Sequence, residues 1–366
     1  MIELQASLGF DDTENTLQSI VRGSGAYLII KNGRCDFELS SVPAGLNIFD
    51  GIKEKDFVAS VLTKEFEYTV KDDQSYNLLI ECSSTLSLDD PLYMIFLDTD
   101  QIKQEKIYRN FYLLREGARV AIIEKQITDL KETKKQTINI FSRWFLENNS
   151  ALTHYGLELP NRGPDCVINN SVVIRQMRNS SCSFFTFYWK DGITNNKVDV
   201  FLDGEFAACN LYSASLLFNS TIVNNDIKVN HNYPNCESCQ IYKGVFNDSS
   251  RGHFNSLVCV NESAQKTSST QQNNNIILSD YASVKSNPQL EIFADDVKCA
   301  HGSTIGQVDL SALFYLRSRG IGKEEGTAIL LRGFLSDVFD EIVDLKLRQI
   351  VINEFHKILN IGHDCE

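Results

Sequence analysis

Residues 288–320 read PQLEIFADDVKCAHGSTIGQVDLSALFYLRSRG, joining a strand pattern, a Cys-x-His pair and a capped helix without interruption. Gln289 to Phe293 alternates polar and apolar residues as a strand with one buried face does. Cys299 and His301 follow two residues apart, and in extended chain that spacing puts both side chains on one face. Asp309 then offers an N-cap to the apolar run Leu310 to Leu316, and Gly320 supplies a C-terminal stop.

Upstream, from about residue 76, short apolar or alternating runs recur, among them YNLLIE, LYMIFL, RVAIIE, FFTFYW and VDVFL. Each is about five residues long and bounded by Asn, Asp, Ser or Gly, which predicts many short strands. Tight hairpin signals such as Asn-Gly are nearly absent within the span, so stacked parallel coils fit better than a sandwich of hairpins. The polar tract Gln265 to Asn275 is expected to form an ordered corner of such a coil, its amides stacked from rung to rung. After Gly306 the period becomes helical: Ala328, Leu331, Leu335, Val338, Phe339 and Ile342 form one series, and Leu347, Ile350, Val351, Phe355, Ile358 and Leu359 another. Gly326 and Gly333 lower helix propensity in the first series and suggest close approach of another helix or chain. At the front, residues 13–24 could form a short helix, and residues 26–75 hold brief strands and turns around Asn32-Gly33 and Pro43-Ala-Gly45.

With 366 residues and 43% hydrophobic content, the chain can bury a substantial core. Its formal charge of −13 disfavours a phosphate-tracking surface, so no nucleic-acid partner is expected. No apolar run approaches a membrane span, and the first residues lack the basic and apolar pattern of an export signal, so a cytoplasmic protein without a membrane partner is expected. The ten cysteines are scattered rather than framed, which suits reduced thiols.

The stretch around DVKCAHG, together with ESAQKTSSTQQNNNIILSDYA (Glu262 to Ala282), NCESCQIYKGVF (Asn235 to Phe246) and AYLIIKNGRCDFELSSVPAGLNIF nearer the start, resembles the SufB/SufD family of iron-sulfur cluster assembly proteins, its SufD branch above all. The similarity runs over roughly residues 26 to 345 in several ungapped blocks, which makes it more specific than a single short motif. It implies a mainly β fold: a right-handed parallel β-helix at 76–304, preceded by a short helix and leading strands at 1–75 and followed by a small helical domain at 305–366. It also implies a scaffold subunit rather than an enzyme, paired with a SufB-like subunit and bound to a SufC-like ABC-type ATPase. No cofactor would be held stably; iron or a nascent iron-sulfur cluster would form on the complex.

His301 matches the histidine of the family's DVKC.HG motif, and the resemblance makes it a metal ligand at the interface with the SufB-like subunit. Cys299 shares the motif and is either a second ligand or a packed core thiol. Leu331, Phe334, Leu335, Val338, Phe339 and Ile342 are expected to dock the ATPase, since an amphipathic helix suits a partner's groove, although a core helix carries the same pattern. Leu290, Ile292 and Val297 are expected at the edge that meets the SufB-like subunit, or a second copy of the chain when it is isolated. Other motifs are weaker. Cys236 and Cys239, with His231 and His253 nearby, form only half a metal knuckle. Asp295 and Asp296 are adjacent and cannot flank one glycosidic bond from a regular strand. Gly320-Ile-Gly322-Lys323-Glu324 lacks the P-loop's upstream glycine and hydroxyl residue, so no ATP hydrolysis is expected of this chain. The alternatives are a SufB-like main scaffold, against which Ala300-His301-Gly302 stands where such chains carry Glu-His-Glu, and a β-helix enzyme acting on polysaccharide.

Overall fold

The computed structural model describes residues 25–50, 76–98 apart from 87 and 89, 105–128, 136–158, 164–189 and 191–359. The helix expected at 13–24 lies outside them. In chain order the strands are β1 (Tyr27–Lys31), β2 (Arg34–Cys35), β3 (Leu46–Asp50), β4 (Tyr76–Cys82), β5 (Leu92–Asp98), β6 (Glu105–Leu114), β7 (Arg119–Thr128), β8 (Gln136–Leu146), β9 (Ala151–Glu158) and β10 (Cys166–Gln176). They continue with β11 (Ser181–Tyr188), β12 (Ile193–Leu202), β13 (Ala208–Leu217), β14 (Ile222–His231), β15 (Glu237–Phe246), β16 (Arg251–Val260), β17 (Ser268–Ile277), β18 (Ser283–Ile292) and β19 (Lys298–Gly306). Three helices end the described chain: α1 (Leu310–Ser318), α2 (Lys323–Phe339) and α3 (Leu345–Ile358).

The strands stack as a parallel β-solenoid of about 7 turns. Even-numbered strands from β4 to β18 form one wall, closed by β3; odd-numbered strands from β5 to β19, with β1 and β2, form the other. Pairing is parallel from coil to coil, while at the front β2 pairs antiparallel with β1 and β3 antiparallel with β4. The scarcity of hairpin signals follows from this geometry, since each strand crosses to the opposite wall instead of folding back.

Asparagine builds the corners. Gly117, Asn149, Asn179, Phe206, Asn235 and Lys266 take left-handed backbone angles at successive turns of one corner, a conformation that Gly and Asn adopt at little cost. The backbone N–H groups of Asn149, Asn179, Asn235 and Lys266 each donate to the carbonyl just before the next corner residue, at Arg178, Glu205, Gln265 and Asp296. Asparagine ladders also run along the strands. On the outer face, the amides of Asn169, Asn195 and Asn224 donate at 2.9, 2.8 and 2.7 Å to Asn139, Asn169 and Asn195. On the inner face, Asn170 donates to Asn196 and Asn196 to Asn225, both at 2.9 Å. Such ladders need identical residues in register on parallel strands.

The tract 265–275 departs from expectation. Only Gln265 and Lys266 belong to a corner, and Ser268 to Asn275 lie in β17. Ser269, Gln271, Asn273 and Asn275 are buried, pointing into the lumen where apolar residues stand in earlier coils. Their amides and hydroxyls bond one another and the next coil, so the alternation is that of a strand with a polar buried face.

Two cores result. The lumen holds the larger one, with Leu92, Met94, Trp144, Phe184 and Val258 among its members, while Tyr155, Phe185, Tyr212 and Val245 on the outer face of the odd-numbered wall pack against α2 and α3. Asp309 caps α1 by accepting from the N–H groups of Ser311 and Ala312 at 2.8 and 3.1 Å, and Gly320 follows at φ 90°. A Cβ at Gly326 would stand 3.0 Å from the Leu313 side chain, so α1 does approach α2 closely there, whereas Gly333 faces open space.

Candidate functional site at the open end of the solenoid

The last coil, β18 and β19, has nothing stacked on it among the described residues. Ser286, Pro288 and Leu290 of β18, which would be inward in a closed coil, are only half-buried, and β19 is exposed along nearly its whole length. Both strands therefore present unpaired backbone groups. Pro288 lies within β18, a position tolerated at a sheet edge, where a missing N–H breaks no ladder on the outer side.

Register places Cys299 over Ser269 and His301 over Gln271. Both lie on inward-facing lanes, so the two-residue spacing does put them on one face of the strand. Cys299 is half-buried against the lumen core, while His301 is exposed at the mouth. Burial holds the Cys299 thiol above its ordinary value, partly offset by a backbone hydrogen bond from Ser269. At neutral pH the sulfur is thus a thiol, and a metal binding there must displace its proton.

Beneath these residues the lumen is polar. Ser269 and Ser238 share a hydrogen bond between hydroxyls at 2.8 Å, and Ser238 bonds His231 Nε2 at 2.9 Å. His231 is fully buried, and desolvation lowers its pKa to about 4, so it stands neutral. Deeper, a cavity of about 870 Å³ including its mouth is lined by Trp144, His154, Phe184 and the inner asparagines. There His154 Nε2 meets the Glu124 carboxylate at 2.9 Å. Sequence reading missed this pair, because the two residues come together only through the register of β7 and β9.

The residues expected to dock an ATPase require a correction. Leu331, Leu335, Val338, Phe339 and Ile342 are buried and Phe334 partly so, all packed against the odd-numbered wall and α3. Their helical spacing marks the seam between α2 and the solenoid, so they are not free for a partner. Lys243 reinforces that seam: its ammonium donates to the Phe334 carbonyl at 2.7 Å, pairs with Asp337 and lies 4.7 Å from the Phe334 ring centre. Tyr212 adds a hydrogen bond to Glu341 at 3.0 Å. The exposed apolar residues of the helical segment are instead Leu310, Phe314, Tyr315, Ile329, Val343 and Leu345. At the edge, Ile292 is 39% exposed, while Leu290 and Val297 are partly buried against the lumen core.

The weaker motifs form no site among the described residues. Cys236 is buried inward and Cys239 half-buried on the outer side, and no cluster of three or more potential metal ligands occurs. Asp295 and Asp296 are exposed at a corner beyond the end of β18, where the Asp296 N–H donates to the Gln265 side chain at 2.9 Å. The nine described cysteines are all free thiols. No described helix is long and apolar enough to cross a membrane.

A parallel solenoid with an uncapped last coil and a helical segment on one wall is the architecture expected of the SufB/SufD proteins. A profile of the SUF system FeS cluster assembly SufBD core domain matches residues 97–334, and the chain belongs to this family. Within it the chain is of the SufD type. It is 29% identical over 250 residues to the iron-sulfur cluster assembly protein SufD of Escherichia coli, covering 67% of this chain and 57% of that protein. It is 27% identical over 225 residues to SufD of Bacillus subtilis, covering 61% of this chain and 51% of the relative. Protein ABCI7, chloroplastic, of Arabidopsis thaliana is 26% identical over 252 residues, 69% of this chain and 52% of its own length. The chain thus matches little more than half the length of these curated relatives.

Proposed function

We propose that the chain is a non-catalytic scaffold subunit that pairs with a SufB-like subunit across the open end formed by β18 and β19. There His301 takes iron or a nascent cluster as cargo. The observation that carries this reading is the placement of Cys299 and His301 on adjacent inward lanes of a coil on which nothing stacks among the described residues. The donor set fits iron: a neutral imidazole binds ferrous iron well, and a half-buried thiol can join once deprotonated. His301 is the exposed ligand of this reading, and Cys299 lies on the same face beside it. The partner strand would complete the coordination, and a site with few ligands of its own can release what it receives.

A SufC-like ATPase docks on the helical segment in this reading, through the exposed Val343 and Leu345 at the turn between α2 and α3 together with Ile329. Leu310 and Phe314 of α1, which follows β19 directly, extend the surface facing the SufB-like subunit. The setting is cytoplasmic.

His301→Ala tests the reading. The side chain is exposed, so folding and complex assembly persist at a cost of about 1 kcal/mol or less. Cluster yield on the reconstituted complex falls severely. Unchanged yield removes His301 from the mechanism.

A further inference from the structure

We propose that the cavity inside the solenoid is a binding site for a small organic cation, an ammonium or amidinium group carried on a flat apolar body. It is separate from the open end, since none of its lining residues comes from β16 to β19. With its mouth it measures about 870 Å³, within the range of about 300–1,000 Å³ usual for small-molecule sites.

The lining sets the charge of the ligand. Glu124 brings the one carboxylate among the described lining residues, and no lysine or arginine stands with it there. Its side chain is only 13% exposed. The bond to His154 Nε2 at 2.9 Å engages one carboxylate oxygen, and a carboxylate has about four acceptor sites. A carboxylate held out of water favours a positive partner. Trp144, Phe184 and Tyr242 line the same space. The rings of Trp144 and Phe184 meet at 80° with centroids 6.1 Å apart. Aromatic faces attract a cation and stack on a flat body.

Across the lumen, the inner amides of Asn170, Asn196 and Asn225 orient the ligand. Three amides in a row make two bonds, so one terminal carbonyl oxygen is left over whichever way the ladder runs. The lane continues beyond its two ends with Ile140 and Phe254, whose side chains offer no donor. Both terminal amides line the cavity. A ligand N–H that turns away from Glu124 therefore finds an acceptor on the opposite wall.

Gly156 keeps the space open. It occupies the inward lane between Glu124 and Thr186. Its backbone is not among the left-handed positions, and an added Cβ would meet its nearest neighbours at 3.5–3.8 Å, ordinary contact. Neither the backbone nor the packing thus demands glycine here, and glycine weakens a strand. A strand glycine of this kind marks close approach of a ligand.

Calorimetric titration of the full chain tests the site, with benzamidine as the cationic probe and benzamide as its uncharged counterpart. Benzamidine should bind saturably at one per chain, and benzamide about 10-fold or more weakly. Gly156→Val should abolish benzamidine binding while the circular dichroism spectrum stays that of the parent. Glu124→Gln, which keeps an acceptor for His154, should weaken benzamidine about 10-fold or more and erase its advantage over benzamide; this variant decides the matter should Gly156→Val fail to fold. Absence of saturable binding, binding that persists in folded Gly156→Val, equal affinity for the two probes, or a preference that survives Glu124→Gln overturns the proposal.

Discussion

Replacing Lys243 with Met removes the ammonium that ties α2 to the solenoid and leaves most of its stem. In the folded chain that ammonium donates to the Phe334 carbonyl, pairs with Asp337 and sits near the Phe334 ring. A charged hydrogen bond to a carbonyl contributes about 1.5–3 kcal/mol, and a cation over an aromatic face about 0.5–2 kcal/mol. Asp337 is 57% exposed, so it rehydrates and its share is at most about 1 kcal/mol. These figures are already net of dehydrating a lysine side chain that is only 7% exposed, and Met, which needs no such dehydration, regains part of them. The expected net loss is about 1–3 kcal/mol, felt at the seam rather than in the lumen. Native-state hydrogen exchange reads it: protection across Lys323 to Phe339 should fall about 5- to 150-fold in Lys243→Met, while amides of β8 to β12 keep theirs. Asp337→Asn should cost much less, since Lys243 keeps the Phe334 carbonyl. Unchanged or increased protection of α2 in Lys243→Met refutes the reasoning, because desolvation would then outweigh the clamp.

Aspartate at Val343 or Leu345 should abolish capture of a SufC-like ATPase while leaving the circular dichroism spectrum intact; undiminished capture moves the docking surface elsewhere. Leu335→Arg, by contrast, buries an unpaired charge in the seam and should lower stability by several kcal/mol, so a denaturation midpoint equal to that of the parent chain contradicts the packing described. If the open end associates with a second copy of the chain, light scattering at tens of micromolar should give a dimer mass, weakened by proline at Ile292; a monomer mass counts against pairing through that edge. His231 sets an acid limit. Its folded pKa of about 4 lies below the unfolded value near 6.5, so its contribution is complete above about pH 6.5 and is lost as pH falls through the folded value. Roughly 3 kcal/mol should go over that window, and His231→Asn should flatten the profile; a parent chain equally stable at pH 4 and 7 contradicts it.

Much of this architecture is legible in the sequence. Short apolar runs without hairpin turns, the cap at Asp309 and the stop at Gly320 lead to a parallel solenoid ending in helices. Two features are not, each for a physical reason. Leu331, Leu335 and Val338 repeat every three or four residues whether the helix faces its own solenoid or another protein, so periodicity alone cannot choose between seam and docking face. Gln271, Asn273 and Asn275 read as polar corner residues because hydrophobic alternation identifies a buried face only when that face is apolar. Here it consists of amides bonded to neighbouring amides, hydroxyls and backbone carbonyls. The spacing of Cys299 and His301 gives their shared face, whereas the polar column beneath them emerges only once the coils are in register.

The Lys243 clamp has a mechanical consequence. Lys243 points outward to α2, and Gln240, three residues earlier on β15, points inward to the column that ends at Gln271. Along an extended strand those positions are about 10 Å apart, and a hydrogen-bonded strand scarcely stretches. A pull on the helical segment is thus delivered to the wall beneath the mouth of the solenoid by the shortest covalent lever available, with no hinge or linker between to absorb it.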